Sequence, residues 1–515
     1  MKLKDWIIVA IIVIGYALVA FVKLGDMSAP QSFAKMSFGD REIVTFVAPQ
    51  KISKIMIYTG LNRRNRTVNG DAMIHIEKSI DGREWEKFVT LKDKYINYKG
   101  ESSTAYFGDG APFSWREYDV DERAQYVRLT VFAMDVMVGE VVFFDETGTR
   151  IEFAGIQELC DEQSVVPKAP SYMNGAYSTE VEIVSTAYAS LNGIEVQDRT
   201  TPPLVKWIIS FGMMLFGMVP FGWRFMGAVA GILMLPVIYL IGKKIFNGGV
   251  LLPAFATILL ALDFMHFSLA QMAIADSFMV LFVMLAYYFM INFYYGRKNG
   301  KLSLILSGAF IALGCMVKWT ALFALLGLLV MWAVGVISEE RKKILGTLVI
   351  SAFALVCLPA VAYFCLYRPY AQPSVVISLL KCFECMYIRT PLVAAQNVVL
   401  MGNPVIWWIG IVTIPFALIL GRKSRAGIFI VIGYLMGLLP CIFGSGYIFE
   451  YFICSIFLIL SLVFVLGKLP KKSIWLGVVT AGALALFIMF YPVISGSGAS
   501  VDYIKSLQWL GSWKF

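Results

Sequence analysis

The chain has 515 residues, of which 58% are hydrophobic and 15% charged, and its mean hydropathy is +0.72. This composition excludes an ordinary soluble globular protein and predicts an α-helical polytopic membrane protein. The net charge of +9 does not indicate a nucleic-acid partner, because the basic residues fall in short clusters between apolar runs, as in cytoplasmic loops.

Eleven apolar runs are long enough to cross a membrane. They lie at 6–24, 222–242, 248–265, 277–295, 302–318, 319–337, 344–367, 403–420, 426–443, 447–467 and 474–492. With this count and a cytoplasmic N-terminus, every basic cluster between spans falls on the inner face, as the positive-inside rule requires. A further run at 204–217 has only fourteen residues, so we interpret it as a helix lying at the outer surface.

This topology places residues 25–221 and the C-terminal tail outside the cytoplasm. The first run is longer than the apolar core of a signal peptide, and no clear cleavage site follows it, so we expect a retained transmembrane helix. The predicted division is 1–25 (first transmembrane helix), 26–158 (β-sandwich), 159–221 (loop with surface helices), 222–492 (transmembrane helices 2–11) and 493–515 (extracytoplasmic tail).

Residues 30–155 have the composition of a soluble domain. Apolar and polar residues alternate at 52–60, 72–79, 126–133 and 139–145, and Gly, Asp and Asn turns separate these stretches. The pattern predicts several short antiparallel strands, and hence a β-sandwich.

Three stretches of this segment resemble the discoidin, or coagulation factor type C, jelly roll. They are "SIDGREWEKF" (79–88), "AQYVRL" (124–129) and "GEVVFFDETG" (139–148). The resemblance implies a domain that binds carbohydrate or a surface ligand through loops at one end. The alternative is a spacer domain in which Trp85 and Tyr126 belong to the core.

The stretch "YSTEVEIVSTAYASL" predicts a helix over 180–191, capped by Ser178 or Thr179. Glu180 and Glu182 are about 200° apart around such a helix, so at most one of them faces a common site. An acidic residue in the first turn also compensates the helix dipole, which is the structural alternative to a catalytic role.

Cys382 and Cys385 form the single CxxC pair of the chain, in "CFEC". With only two histidines and no second cysteine pair, we expect no zinc site. A disulfide or two free thiols is favoured over a redox pair, because no thioredoxin-like unit surrounds these residues.

Several motifs between about 170 and 515 resemble the protein O-mannosyltransferase family, membrane enzymes of the GT-C class. In chain order they are "NGAYSTEVEIVSTAYASL", "TPPLVKW", "DFMHFSLAQMAIADSFMVLF", "MVKWTALF" and "YPVISGSGASVDYIKSLQWLGSWKF". The resemblance implies inverting transfer of a sugar, mannose above all, from a polyprenyl-phosphate carrier. The acceptor is a Ser or Thr hydroxyl of a secreted or cell-surface protein, outside the plasma membrane of a bacterium. No metal or other cofactor is implied.

Carried over position by position, the resemblance implies catalytic roles for Glu180 and Asp276. For substrate binding it implies Lys206, Arg224, Lys318 and Trp319. Lys206 and Arg224 are equally consistent with anchoring at the membrane interface. For Lys318, at the end of a span, anchoring is favoured over a catalytic role.

The chain departs from the family pattern at several charged positions. They are Thr179, Thr201, Gln271, Gly444 and Glu450. These departures leave an alternative open, a catalytically degenerate homologue that regulates or dimerises with an active partner or presents the β-sandwich. A transporter is disfavoured, because no internal repeat is visible.

Overall fold

A computed structural model describes the chain in segments. They are 2–62, 74–88, 92–96, 102–106, 112–131, 136–177, 180–194, 202–295, 300–337, 344–361, 392–395, 398–422, 424–443, 448–510 and 513. The chain divides into two compact units. The helical unit comprises Met1–Leu24, Asp198–Phe211 and Arg224–Phe515, and the β unit comprises Gly25–Gln197 and Gly212–Trp223.

The helices follow the apolar runs closely. They are α1 (Leu3–Phe21), α2 (Glu180–Leu191), α3 (Pro203–Phe216), α4 (Pro220–Ile245), α5 (Leu251–Ala261), α6 (Phe264–Ala270), α7 (Ala275–Tyr294), α8 (Gly300–Val317), α9 (Ala321–Ile337), α10 (Ile344–Ser351, continued by a π-helix over Ala352–Cys357), α11 (Pro404–Gly421), α12 (Arg425–Phe443), α13 (Phe452–Leu466), α14 (Lys472–Ile494) and α15 (Val501–Ser506).

Among the described residues, eight helices are long and apolar enough to cross a membrane, or nine if the bent pair α5 and α6 is one span. This supports an integral, polytopic helical membrane protein. Each predicted run coincides with a helix, but α9 and the helix within 348–361 are shorter than a full span. The count of eleven and the topology therefore stay predictions, as does the surface position of α3.

Helix α1 is tied to α4 within the helical unit. The Asp5 carboxylate, which is buried, accepts a hydrogen bond of 2.7 Å from the Tyr239 hydroxyl and pairs with the Lys243 ammonium. Lys243 lies in the last turn of α4, where a cation also compensates the helix dipole. These polar contacts fix the register of two apolar helices that hydrophobic packing alone would specify poorly.

The β unit is built on antiparallel strands. They are β1 (Ala34–Met36), β2 (Arg41–Asn62), β3 (Ile74–Ser79), β4 (Glu86–Lys87), β5 (Lys92–Ile96), β6 (Ser102–Tyr106), β7 (Ser114–Val131) and β8 (Val136–Phe144). Six of them form one sheet in the order β1-β8-β2-β7-β3-β4, and β5 pairs with β6. The four predicted stretches fall on β2, β3, β7 and β8, which confirms those strands. The discoidin-like jelly roll stays a prediction.

The six-stranded sheet buries side chains on both faces. One face carries the main hydrophobic core, which includes Ile55, Ile57 and Phe46. Because side chains alternate along a strand, Tyr58 points to the other face, where its ring lies 5.2 Å from that of Trp115. The β unit therefore has a second, aromatic core on that face.

The remaining short strands, β9 (Leu392–Ala395) and β10 (Val398–Leu400), pair antiparallel in the helical unit. They end just before Asn403, the residue that caps α11. The "CFEC" pair lies outside the described residues, as do Ser178, Thr179, Thr201 and Gly444.

Candidate active site

Asp276 and Lys318 form an ion pair in the helical unit. Asp276 lies in the first turn of α7, where a carboxylate is favoured by the helix dipole. Lys318 directly follows α8, and its Nζ lies 2.8 Å from Asp276 Oδ1. The Lys318 side chain is 18% exposed and the Asp276 side chain is 8% exposed, so the pair is largely withdrawn from solvent.

The Lys318 ammonium also lies over an aromatic ring. Its Nζ is 4.6 Å from the centroid of Phe449, a separation at which the ring face attracts a cation. An ammonium has three donor hydrogens, and Asp276 receives one of them. The arrangement is a compact positive charge, oriented by one carboxylate and one ring, of the kind that receives phosphate oxygens.

Trp319 stands beside this lysine in the turn that joins α8 to α9. Its ring is 5.7 Å from that of Phe323, which stacks on Phe443 at 6.0 Å. Trp319 is only half-buried. It therefore presents an aromatic surface next to Lys318, while its contact with Phe323 connects the turn to α9.

The loop that leads into α7 and Asp276 follows the bent pair α5 and α6, whose axes differ by 58°. Asp263 lies at this break, fully buried, and its Oδ2 caps α6 by accepting from the His266 amide at 3.3 Å. Its Oδ1 accepts from the Asn403 amide at 3.2 Å and from Trp407 Nε1 at 2.9 Å. A buried carboxylate with three donors holds the break in one geometry.

Asn403 reciprocates this contact. Its Oδ1 caps α11 by accepting from the Val405 amide at 3.1 Å, and its Nδ2 donates to the carbonyls of Leu262 and Ala483, both at 3.0 Å. We call Asp263, Asn403 and Trp407 the polar clamp. The polar clamp was not among the sites predicted from the sequence, although an Asp just before an apolar helical run and an Asn just before a proline are both capping signals.

The polar clamp is connected to the ring beneath Lys318. Trp407 packs on Tyr451 with ring centroids 4.7 Å apart, and the Tyr451 and Tyr434 hydroxyls are 2.9 Å apart. Tyr451 ends the short 3-10 turn Ile448–Tyr451, which also contains Phe449 and the buried Glu450. Both partners of Lys318 therefore depend on elements that the clamp holds.

The other predicted substrate-binding residues have different surroundings. Arg224 is fully buried in α4, and its Nη1 donates to the Leu24 carbonyl at 3.2 Å. Lys206 is half-buried on α3. Gln271 is buried and donates from Nε2 to the Ala20 carbonyl at 3.3 Å. The structure thus brings Asp276 together with Lys318, and gives Arg224 and Gln271 backbone partners around the end of α1.

Glu180 belongs to the β unit. It is the first residue of α2 and is fully buried, and its Oε2 accepts from the Tyr177 amide at 3.4 Å. Glu182 is exposed. The predicted helix over 180–191 is confirmed, and so is the prediction that the two carboxylates point in different directions. The catalytic and binding roles themselves stay predictions.

A second acidic group in the β unit was not foreseen. The carboxylate oxygens of Glu140, Asp161 and Glu162 all lie within 4.8 Å of one another. Each accepts hydrogen bonds from the protein: Glu140 from the Glu162 amide at 3.1 Å, Asp161 from Ser32 Oγ at 2.8 Å, and Glu162 from the Ser32 amide at 3.0 Å. Burial raises the pKa of Glu140 to about 7.

Comparison with known proteins gives a consistent picture. Residues 200–367 match the family model described as dolichyl-phosphate-mannose-protein mannosyltransferase. The chain is 23% identical to the polyprenol-phosphate-mannose–protein mannosyltransferase of Mycolicibacterium smegmatis over 426 residues, which is 61% of this chain and 81% of that protein. It is 24% identical to the Mycobacterium tuberculosis protein of the same description over 444 residues, covering 64% and 84%.

Among solved structures, the protein O-mannosyltransferase Pmt1-Pmt2 complex of S. cerevisiae bound to the sugar donor is similar in fold. The TM-score is 0.52 at 12% identity, covering 66% of this chain and 90% of that one. This likeness supports the GT-C fold. Together with the family model and the relatives, it supports the resemblance drawn from the motifs.

Proposed function

We propose that this protein is a membrane glycosyltransferase that moves a sugar, mannose above all, from a polyprenyl-phosphate carrier to a Ser or Thr hydroxyl of an extracytoplasmic protein. The observation that carries the proposal is the Lys318–Asp276 pair at the start of α7. A largely buried ammonium held by a carboxylate is suited to a phosphate leaving group. The relatives, whose descriptions name a polyprenol-phosphate-mannose donor, add support.

In the proposed reaction, the acceptor oxygen attacks C1 of the sugar and the bond between C1 and the phosphate oxygen breaks. The electron pair of that bond goes to the phosphate, whose added charge Lys318 stabilises. The hydroxyl proton goes to a carboxylate base, and we assign this role to Glu180. Asp276 orients Lys318, and Lys206, Arg224 and Trp319 contribute to donor binding. Attack opposite the leaving group inverts the anomeric centre.

The direct test is transfer by the purified full chain. The donor is polyprenyl-phosphate mannose, the acceptor is a Ser/Thr-rich peptide, and mass spectrometry detects a hexose on the peptide. We expect transfer by the wild type, strongly reduced transfer by Lys318→Ala, and normal transfer by Lys505→Ala, which alters an exposed lysine of α15. Absence of transfer by the wild type with mannose and other polyprenyl-phosphate sugars would reject the proposal.

The second candidate is a degenerate homologue that acts as a partner of an active enzyme. The observation that favours it is Gln271, which donates its side-chain amide to the Ala20 carbonyl at a position where the resemblance implies a cation. This reading predicts no transfer by the purified chain and co-purification with an intact homologue from native membranes. Transfer by the isolated protein would eliminate it.

A further inference from the structure

We propose that the β unit is the scaffold that positions Glu180, and that Phe113 is the positioning residue through which it does so. This inference rests on the proposed function only for the role of Glu180 as the base. The placement of α2 by the β unit is a separate physical claim. It gives the inserted β-strand segment a role in the reaction that does not require a ligand of its own.

The first observation is the backbone of Phe113. This fully buried residue has a φ of +59°, in the left-handed region that bulky side chains rarely adopt. Such a conformation persists only where the surrounding contacts over-determine it, and it is a recognised feature of functional sites. The contacts of Phe113 therefore indicate which part of the β unit this backbone conformation supports.

The backbone contacts of Phe113 lead directly to the start of α2. Its amide donates to the Thr59 carbonyl at 2.7 Å, and its carbonyl accepts from the Ala176 amide at 2.8 Å. Ala176 precedes Glu180 by four residues. At Gly175 an added Cβ would lie 2.9 Å from Ser114 Cα, so this close approach of the two segments requires glycine.

The side chain of Phe113 contacts the far part of the same helix. Its ring centroid is 5.0 Å from that of Tyr188, and Phe33 packs against both rings at 6.2 and 6.3 Å. Phe113 thus contacts the chain at two points, the Ala176 amide four residues before α2 and Tyr188 in the third turn of the helix. The ring contact at Tyr188 limits the rotation of α2, and the rotation decides where Glu180 points.

The alternative is that Phe113 only stabilises the β unit. Phe46 provides the matched control, because it is equally buried but lies in the main hydrophobic core on the other face of the sheet, where it packs on Phe143 at 5.2 Å. Removal of either ring creates a core cavity. Of these two rings, Phe113 packs on Tyr188 of α2 and Phe46 packs on Phe143. The two variants therefore distinguish an effect on the position of α2 from a general loss of stability.

The test uses the full chain carrying Phe113→Ala, Tyr188→Leu or Phe46→Ala, with hydrogen exchange of the α2 amides and transfer kinetics as readouts. We expect Phe113→Ala and Tyr188→Leu to accelerate exchange in α2 several-fold, and to lower kcat by about 10- to 100-fold with the donor KM unchanged. We expect Phe46→Ala to lower the Tm while α2 exchange and kcat per folded molecule stay at wild-type values.

Unchanged α2 exchange in both Phe113→Ala and Tyr188→Leu, or an equal change in Phe46→Ala, would overturn the inference. Tyr188→Leu keeps most of the buried volume, so it remains informative if Phe113→Ala does not fold. The two proposals fail in different ways. A wild type without transfer rejects the proposed function, whereas the exchange of α2 still decides whether the β unit holds this helix.

Discussion

The two units hold their candidate reactive groups by different means. In the helical unit, Lys318 is oriented by charge, through Asp276 and the face of Phe449. In the β unit, Glu180 is oriented through its helix, by the backbone contact at Ala176 and the packing of Tyr188 on Phe113. A lysine that binds phosphate keeps its charge throughout the reaction, so a carboxylate counter-ion such as Asp276 can hold it in place. A base must exchange a proton during each turnover, and placement through the packing of its helix does not depend on the charge of the carboxylate.

The largest effect should come from the base. Removal of a general base costs on the order of 10² to 10⁴ in rate, so we expect Glu180→Gln to reduce transfer by that factor. Glu182→Gln alters the exposed neighbour on the same helix and should retain wild-type transfer. Initial rates of peptide mannosylation measure both. Equal rates for Glu180→Gln and the wild type would remove Glu180 from the mechanism. The β unit would then hold no base to compare with the cation of the helical unit.

The next largest effect should come from the cation. We expect Lys318→Ala to lower kcat by about 10²-fold, the cost of losing one donor to developing charge. Asp276→Asn leaves the ammonium but removes the partner that orients it, so we expect a smaller loss, about tenfold. Transfer kinetics at saturating acceptor measure both variants. A larger loss for Asp276→Asn than for Lys318→Ala would show that Asp276 itself acts on the substrate.

Local periodicity predicted much of the fold. Alternation located β2, β3, β7 and β8, apolar runs located the helices, and the 100° step per residue separated Glu180 from Glu182. These features depend on residues close together in the sequence. The resemblance to the mannosyltransferases supplied both members of the Asp276–Lys318 pair but not their contact.

The features that sequence analysis missed depend on long-range packing. Asp263 and Asn403 are separated by 140 residues and meet only because two helix ends face each other. Phe113 is not a residue type that signals a left-handed backbone, so its φ is invisible in the sequence. Glu140 lies within a valine-rich strand, β8. It lies close to Asp161 because the chain that follows β8 folds back against this strand.

A smaller effect is expected at the polar clamp, and on stability. Trp407→Phe keeps the ring on Tyr451 but removes the indole N–H that donates to Asp263. A buried acceptor that loses a donor costs about 1–3 kcal/mol, and Asp263→Ala, which removes the acceptor itself, should cost at least as much. Thermal unfolding in detergent measures each variant. The double variant should cost less than the sum of the single ones, because the two changes remove the same contact. Strict additivity would contradict the shared hydrogen bond.

The smallest effect should be a pH dependence that belongs to the β unit, at Glu140. Its pKa is raised from an ordinary value of 4.5 to about 7 in the folded protein, chiefly by burial. Between these values the folded state binds more protons than the unfolded state, so stability falls as pH rises through this window, and the full cost is present above about 7. Glu140→Gln removes the titrating group and should flatten this dependence.

We therefore expect the Tm of Glu140→Gln to exceed that of the wild type by a few degrees at pH 8, and the difference to shrink or reverse near pH 4.5, where the wild-type carboxyl is protonated. Glu152→Gln, which alters an exposed carboxylate of the same unit, should follow the wild-type profile. Differential scanning fluorimetry of the full chain across this range measures all three. A Glu140→Gln profile parallel to the wild type would contradict the assignment. It would mean that the donors from Glu162 and Gln163 fully offset the burial of this carboxylate.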